Sequence, residues 1–214
     1  MHTLPHTDLK NAIHSWPKMK EVITSLSDPF CSFPREIEGL KGGLSGFFIA
    51  EYLSRSPRDM VIIVPNEKDA QELTLDIQGA LETPDGSCYA DILQLPWWGM
   101  VPYRPVAKGS LVFGERASVL AKLADTNKQT KKRKPRIFII TQRSALIPVP
   151  PAEYISSLLF EIKTGGTFDS VSLAERLTAQ GYTRVPRVTV RGEFTLRGEV
   201  LDIFMPGEQF AHRI

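Results

Sequence analysis

Met60-Val61-Ile62-Ile63-Val64-Pro65-Asn66 is the segment from which the architecture of this chain is read. Five apolar residues in unbroken succession predict a short strand buried on both faces, because a strand with one wet face alternates instead. Pro65 ends the run, and Asn66 is a good N-cap for a following helix. Ala70, Leu73, Ile77 and Ala80 then recur at helical spacing, so the helix has one apolar stripe.

The same alternation extends to either side. Upstream, Ile37 leads as a possible strand into a glycine cluster, Gly39, Gly42, Gly43 and Gly46, and then a helix with Phe47, Phe48, Ile49, Tyr52 and Leu53. Downstream come a strand from Tyr89 to Leu95, a long loop from Pro96 to about Gly109, a helix from Leu111 to Leu123, and a strand at Ile137-Phe138-Ile139-Ile140. Such alternation implies an α/β domain with a parallel sheet and right-handed crossovers, here spanning residues 36–147. Residues 1–35 form a leader with one helical candidate, interrupted by Pro17, and an irregular stretch around Pro29 and Pro34.

Past residue 148 the pattern changes. Pro148, Pro150 and Pro151 punctuate a linker, and Leu158 to Ile162 reads as a strand. Ser172 and Glu175 fit a capping box that opens a helix ending at Gly181. Arg187 to Val190, Arg191-Gly192 and Glu193 to Phe204 read as a β-ribbon. Residues 148–214 are therefore expected to form a small α+β domain.

The bulk numbers exclude several classes. A 214-residue chain with 42% hydrophobic and 23% charged residues is neither disordered nor collagenous. A net charge of +2 gives no global basic field for nucleic acid. Cys31 and Cys88 cannot build a disulfide framework, and His2, His6, His14 and His212 lack metal-ligand spacing. The start, Met1-His2-Thr3-Leu4-Pro5, lacks the basic and apolar regions of a signal peptide. No run approaches the ~20 apolar residues of a membrane span. A soluble, cytoplasmic chain is expected.

Four constellations could carry chemistry. The glycine cluster stands where a phosphate-binding loop would sit, but that loop needs Lys and then Ser or Thr after its last glycine. Counted from Gly39, those places hold Leu44, Ser45 and Gly46, and no Gly-Lys dipeptide occurs in the chain. The simpler reading is a turn without nucleotide chemistry. The basic run Lys128 to Lys134 could contact phosphates, but it has no interleaved aromatics and reads more simply as a solvated loop. Trp97, Trp98 and Tyr103 read as packing over the sheet end rather than as a stacking surface. Arg184, Arg187, Arg191 and Arg197 around Phe194 read equally as interface anchors and as exposed strand faces. In a strand from Glu193, Thr195 and Arg197 share one face, and Phe194 and Leu196 the other.

Gly181-Tyr182-Thr183-Arg184, followed by Gly192-Glu193-Phe194-Thr195-Leu196-Arg197-Gly198-Glu199-Val200-Leu201-Asp202-Ile203-Phe204, resembles transcription-repair coupling factors and excinuclease B. Leu95-Pro96-Trp97, Val101-Pro102-Tyr103, Gly114-Glu115-Arg116 and Thr141-Gln142-Arg143-Ser144-Ala145-Leu146 extend the resemblance over roughly residues 36–214. Excinuclease B carries a working phosphate loop. Ser45 and Gly46 place this chain nearer the amino-terminal module of the coupling factors, whose copy is degenerate.

The resemblance implies a helicase-like sheet domain, then a small α+β domain that docks excinuclease A. The site residues it implies are Arg184, Arg191, Phe194 and Arg197. No catalytic residue, metal or cofactor is implied for this chain. ATP and magnesium belong to the motor of the full-length family protein, an ATP-dependent DNA translocase. Other implied partners are those motor domains, with RNA polymerase and DNA reached through further domains, and no membrane. The alternative is a divergent excinuclease B fragment with ATP-dependent DNA binding. Three departures stand out. Thr195 replaces an Arg of excinuclease B, the Lys-rich loop looks inserted, and Arg213-Ile214 ends the chain where the family continues its β-unit, so the second domain is expected to be incomplete.

Overall fold

A computed structural model describes residues 6–28, 30, 32–83, 86–99, 111–124, 133–163 and 165–214. The content is mixed α/β, with a three-stranded sheet and a separate four-stranded one, as the alternation of elements implies. The chain divides into two compact units, residues 1–94 with 133–142, and residues 95–132 with 143–214.

The first unit opens with α1 (His6–Ser15) and α2 (Pro17–Ser27), two helices where one interrupted candidate is expected. Pro17 lies in the first turn of α2, where its missing N–H costs nothing. Then come α3 (Leu44–Arg55), β1 (Met60–Val64), α4 (Glu67–Leu81), β2 (Asp91–Leu95) and, after an excursion, β3 (Arg136–Thr141). The sheet order is β1-β3-β2, and β1 runs parallel to β3 with Ile62 beside Ile139. The Asn66 side chain accepts from the Asp69 N–H, so the expected cap is present.

One face of the sheet carries the core. Ile49 and Leu53 from α3, Ala70, Ile77 and Leu81 from α4, and Val64, Ile137 and Ile139 from the strands pack together. Complete burial of one such side chain contributes roughly 1.5–3 kcal/mol. The reading of β1 as buried on both faces is corrected. Val61 and Ile63 are 66% and 59% exposed, because β1 is an edge strand and the described residues of the first unit leave its second face open. The central strand β3 buries Ile137, Ile139 and Ile140, and so contributes to both faces.

Among the described residues, no strand precedes the glycine cluster either. Residues 34–41 have no regular structure, and Glu36 and Glu38 in this stretch point to water. At the other end, Asp59 accepts two bonds from Arg133 (2.8 and 2.7 Å) and one from the Arg136 N–H, tying the start of β1 to that of β3.

The second unit contains α5 (Leu111–Ala124), α7 (Ala152–Leu158), α8 (Ser170–Ala179), β4 (Thr183–Arg184), β5 (Glu193–Arg197), β6 (Val200–Ile203) and β7 (His212–Arg213). A one-turn helix, α6 (Gln142–Ala145), lies between β3 and α7. The strand expected at Leu158–Ile162 is absent. Leu158 closes α7, and the carbonyls of Leu158 and Leu159 are taken by Gln180 and Arg176 of the α8 region instead of a ladder.

The capping box is also replaced. Asp169 caps α8 by accepting from the N–H groups of Val171 and Ser172, one residue position ahead of the helix. A carboxylate is a stronger acceptor for these donors than a hydroxyl. The other end is as expected. Gly181 has φ +92°, and the N–H groups of Gly181 and Tyr182 reach back to the carbonyls of Thr178 and Leu177. This is a Schellman stop, with Tyr182 packed on the core behind it.

The second sheet has order β4-β5-β6-β7. Its β4–β5 pair is parallel, and its β5–β6 and β6–β7 pairs are antiparallel. Leu173 and Leu177 of α8 pack on Phe194, Leu201 and Ile203. Residues 187–190 do not join this sheet. Their backbone donors at Thr189 and Val190 go to the Glu193 carboxylate instead.

Candidate partner-docking surface

The second sheet sorts the expected site residues by strand parity. Phe194 is fully buried under α8, which corrects its reading as a contact residue. Its ring fills the core because β5 alternates, and Phe194 and Leu196 fall on the helix side. Thr195 and Arg197 fall on the opposite side. Arg197 is exposed, whereas Thr195 is buried beside Asp202.

The arginines do not form one cluster. Arg184 aligns with Phe194 across the parallel β4–β5 pair, so it takes the α8 side of the sheet, at its edge. Arg197 takes the other side. Arg191 precedes β5 and is held twice, with its guanidinium 5.0 Å from the centroid of the Phe204 ring and its Nε donating to the Glu208 carbonyl at 2.8 Å. Phe204 and Asp202 alternate with buried Leu201 and Ile203, so they share the side of Arg197. Arg187 is exposed in the loop before Arg191.

Sequence reading missed the carboxylates that organise this side. Asp202 accepts two bonds from Arg213. That guanidinium holds the Asp202 carboxyl below the usual carboxylate range, against the opposing effect of burial. Glu193 is likewise held low, chiefly by the N–H groups of Thr189 and Val190. Both acids therefore have partners, Asp202 on β7 and Glu193 in the loop before β5, while Arg197 makes no hydrogen bond among the described residues. On the side opposite α8, Arg197 is thus exposed, while Arg191 is half-buried against Phe204 and Thr195 is buried; a guanidinium is suited to planar recognition of carboxylates.

The other candidates separate clearly. Gly46 sits in the first turn of α3, where a Cβ would lie 2.6 Å from the Asp76 backbone of α4. This glycine is required by helix contact. Trp97 and Trp98 lie under the guanidiniums of Arg143 and Arg116, at 5.1 and 4.7 Å from the ring centroids. Arg116 is buried and donates to the Pro96 carbonyl. Cys31, Tyr103 and residues 128–132 of the basic run lie outside the described residues. Of the rest of that run, Arg133 binds Asp59 and Lys134 binds the Cys88 carbonyl. Among the described residues no group of His, Cys, Asp and Glu could hold a metal ion, and no helix is long and apolar enough to cross a membrane.

Residues 160–214, which contain α8 and the whole second sheet, match the family model of the UvrB interaction domain. This part of the chain is therefore similar to the UvrB interaction domain. More broadly, the chain is similar to transcription-repair-coupling factors, which bears out the resemblance to their amino-terminal module. The factor of Borreliella burgdorferi is 26% identical over 179 residues, covering 83% of this chain and 15% of that protein. That of Myxococcus xanthus is 28% identical over 169 residues, covering 79% and 14%. That of Mycobacterium tuberculosis is 26% identical over 182 residues, covering 85% and 14%. The chain thus spans about one seventh of the length of these relatives.

Proposed function

We propose that this chain is the partner-docking module of a transcription-repair-coupling factor, binding excinuclease A and so directing excision repair to a stalled RNA polymerase. The observation that carries the reading is a coincidence of place. The interaction-domain match falls on the sheet whose Arg197 is exposed while the Asp202 and Glu193 carboxylates are engaged. Arg191 and Arg197 are the anchors on the side opposite α8, and Arg184 contributes from the sheet edge. RNA polymerase, DNA translocation and ATP belong to other parts of the longer protein. Here the module acts by binding rather than by catalysis.

The glycine cluster supports this reading over an excinuclease B fragment. Ser45 stands in the lysine position, and the place of the magnesium-binding hydroxyl is Gly46, where a side chain has no room beside Asp76. The chain itself therefore handles no nucleotide. The test is a calorimetric titration of purified excinuclease A into the 214-residue chain. Saturable binding that weakens about thirtyfold in Arg197→Ala is expected for an interface anchor. A flat titration, with the chain shown to be folded, overturns the reading.

A further inference from the structure

Helix α5 is encoded between two strands of the first sheet, yet it packs within the second unit. Its contact there is unusually close. A Cβ at Gly114 would lie 2.9 Å from the Gly207 nitrogen, 3.0 Å from the Pro206 Cβ and 3.1 Å from its Cα. Reciprocally, a Cβ at Gly207 would lie 2.8 Å from that of Ser118. Backbone meets backbone, so no rotamer change can relieve an added methyl.

The turn that α5 touches is the one that holds Arg191. The Glu208 N–H closes it onto the Met205 carbonyl, and the Glu208 carbonyl accepts the Arg191 Nε–H. Phe204, whose ring lies under the Arg191 guanidinium, leads into the same turn. On its other sides α5 is fixed. Arg116 is clamped by the Pro96 carbonyl and the Trp98 ring, and the Ala124 carbonyl accepts from Ser156 of α7. A push from α5 must therefore move the turn rather than the helix.

We infer that α5 is a positioning element for docking: Gly114 and Ser118, through the Pro206-Gly207 turn, set the orientation of the Arg191 guanidinium toward an acidic surface on the partner. The geometric half stands alone, and the consequence for binding rests on the docking function proposed above. A shift of a few tenths of an ångström at the turn is enough to weaken a 2.8 Å hydrogen bond and to change where the five guanidinium donors aim. The Gly-Glu-Arg sequence at 114–116 then has a physical role, with one residue for close approach and one for the clamp.

The test has two arms, both on the 214-residue chain. In the first, the Arg191 Nε–H resonance is followed by NMR in the parent, in Gly114→Ala, in Ser118→Val as a second route to the same push, and in Gly79→Ala. Gly79 has open space at its Cβ and serves as control. Faster Nε–H exchange in the first two variants, but not in Gly79→Ala, is expected. An unchanged Nε–H in both folded variants overturns the inference. In the second arm, excinuclease A is titrated into Gly114→Ala, Arg191→Ala and the double variant. Gly114→Ala should lose about tenfold in affinity, and the double variant no more than Arg191→Ala alone, since the two act as one unit. Losses that simply multiply overturn the coupling. If the parent does not bind, the docking function fails, while the NMR arm still decides whether α5 positions Arg191.

Discussion

Arg213 grips Asp202 with two hydrogen bonds, Nε to Oδ1 at 2.6 Å and Nη2 to Oδ2 at 2.9 Å, and so fastens β7 to β6. The pair belongs with two other engaged carboxylates. Asp59 is held below its usual range first by its bond to Arg133, and Glu193 by the N–H groups of Thr189 and Val190. In each case the folded chain binds its proton less readily than the unfolded one. Stability from these groups is present above the unfolded values, about 3.9 for Asp and 4.3 for Glu, and is lost as pH falls through the lower folded values. Thermal midpoints should therefore hold steady down to about pH 5 and drop below about pH 4, with a shallower drop in Asp202→Asn. A midpoint insensitive to pH across that window contradicts these pairings.

Phe194 sits in the core of the second unit, so its truncation acts on the fold rather than on a partner. Phe194→Ala should cost about 3–5 kcal/mol in urea unfolding, as expected for a large ring removed from a packed site. A loss below about 1 kcal/mol would return Phe194 to the surface reading, since surface changes are of that small size.

Gly46 gives a sharper test of the glycine cluster. Installing the charge-handling pair, Ser45→Lys with Gly46→Thr, should not create ATP binding. The threonine Cβ would meet the Asp76 backbone, and overpacking of this kind costs roughly 1–3 kcal/mol. The expected result is a lower urea midpoint and no calorimetric response to Mg-ATP. Micromolar binding by the parent chain would instead favour an excinuclease B relationship.

DNA binding should be weak and strongly salt-dependent. The net charge is +2, and of the basic run Arg133 and Lys134 are already engaged by Asp59 and the Cys88 carbonyl. Contacts made only to phosphates lose affinity steeply with salt. Fluorescence anisotropy on a short duplex should show binding lost by ~0.2 M salt, and lesion-specific binding that persists there contradicts the assignment.

Local signals make much of the first unit legible in the sequence. Met60–Val64, the Asn66 cap and the Ala70–Ile77 stripe are visible because each depends on neighbours within a turn or two. The exposure of Val61 and Ile63 depends on sheet order, which no local pattern encodes. Leu158–Ile162 misleads for a related reason: Ile162 packs on the α8 core, but among the described residues no strand pairs with the segment. Within the site, the parity of Phe194 and Arg197 is legible from alternation. The placement of Arg184 opposite Arg197 requires the β4–β5 register, and the brace from Gly114 to Gly207 joins residues far apart in sequence.

The central claim, that the second unit is the docking surface for excinuclease A, is tested most directly by amide hydrogen exchange of the 214-residue chain with and without that partner. Slowed exchange is expected in residues 184–204, around Arg184, Arg191 and Arg197, with β1 and α4 unchanged. Protection confined to the first unit, or none at saturating partner, contradicts it.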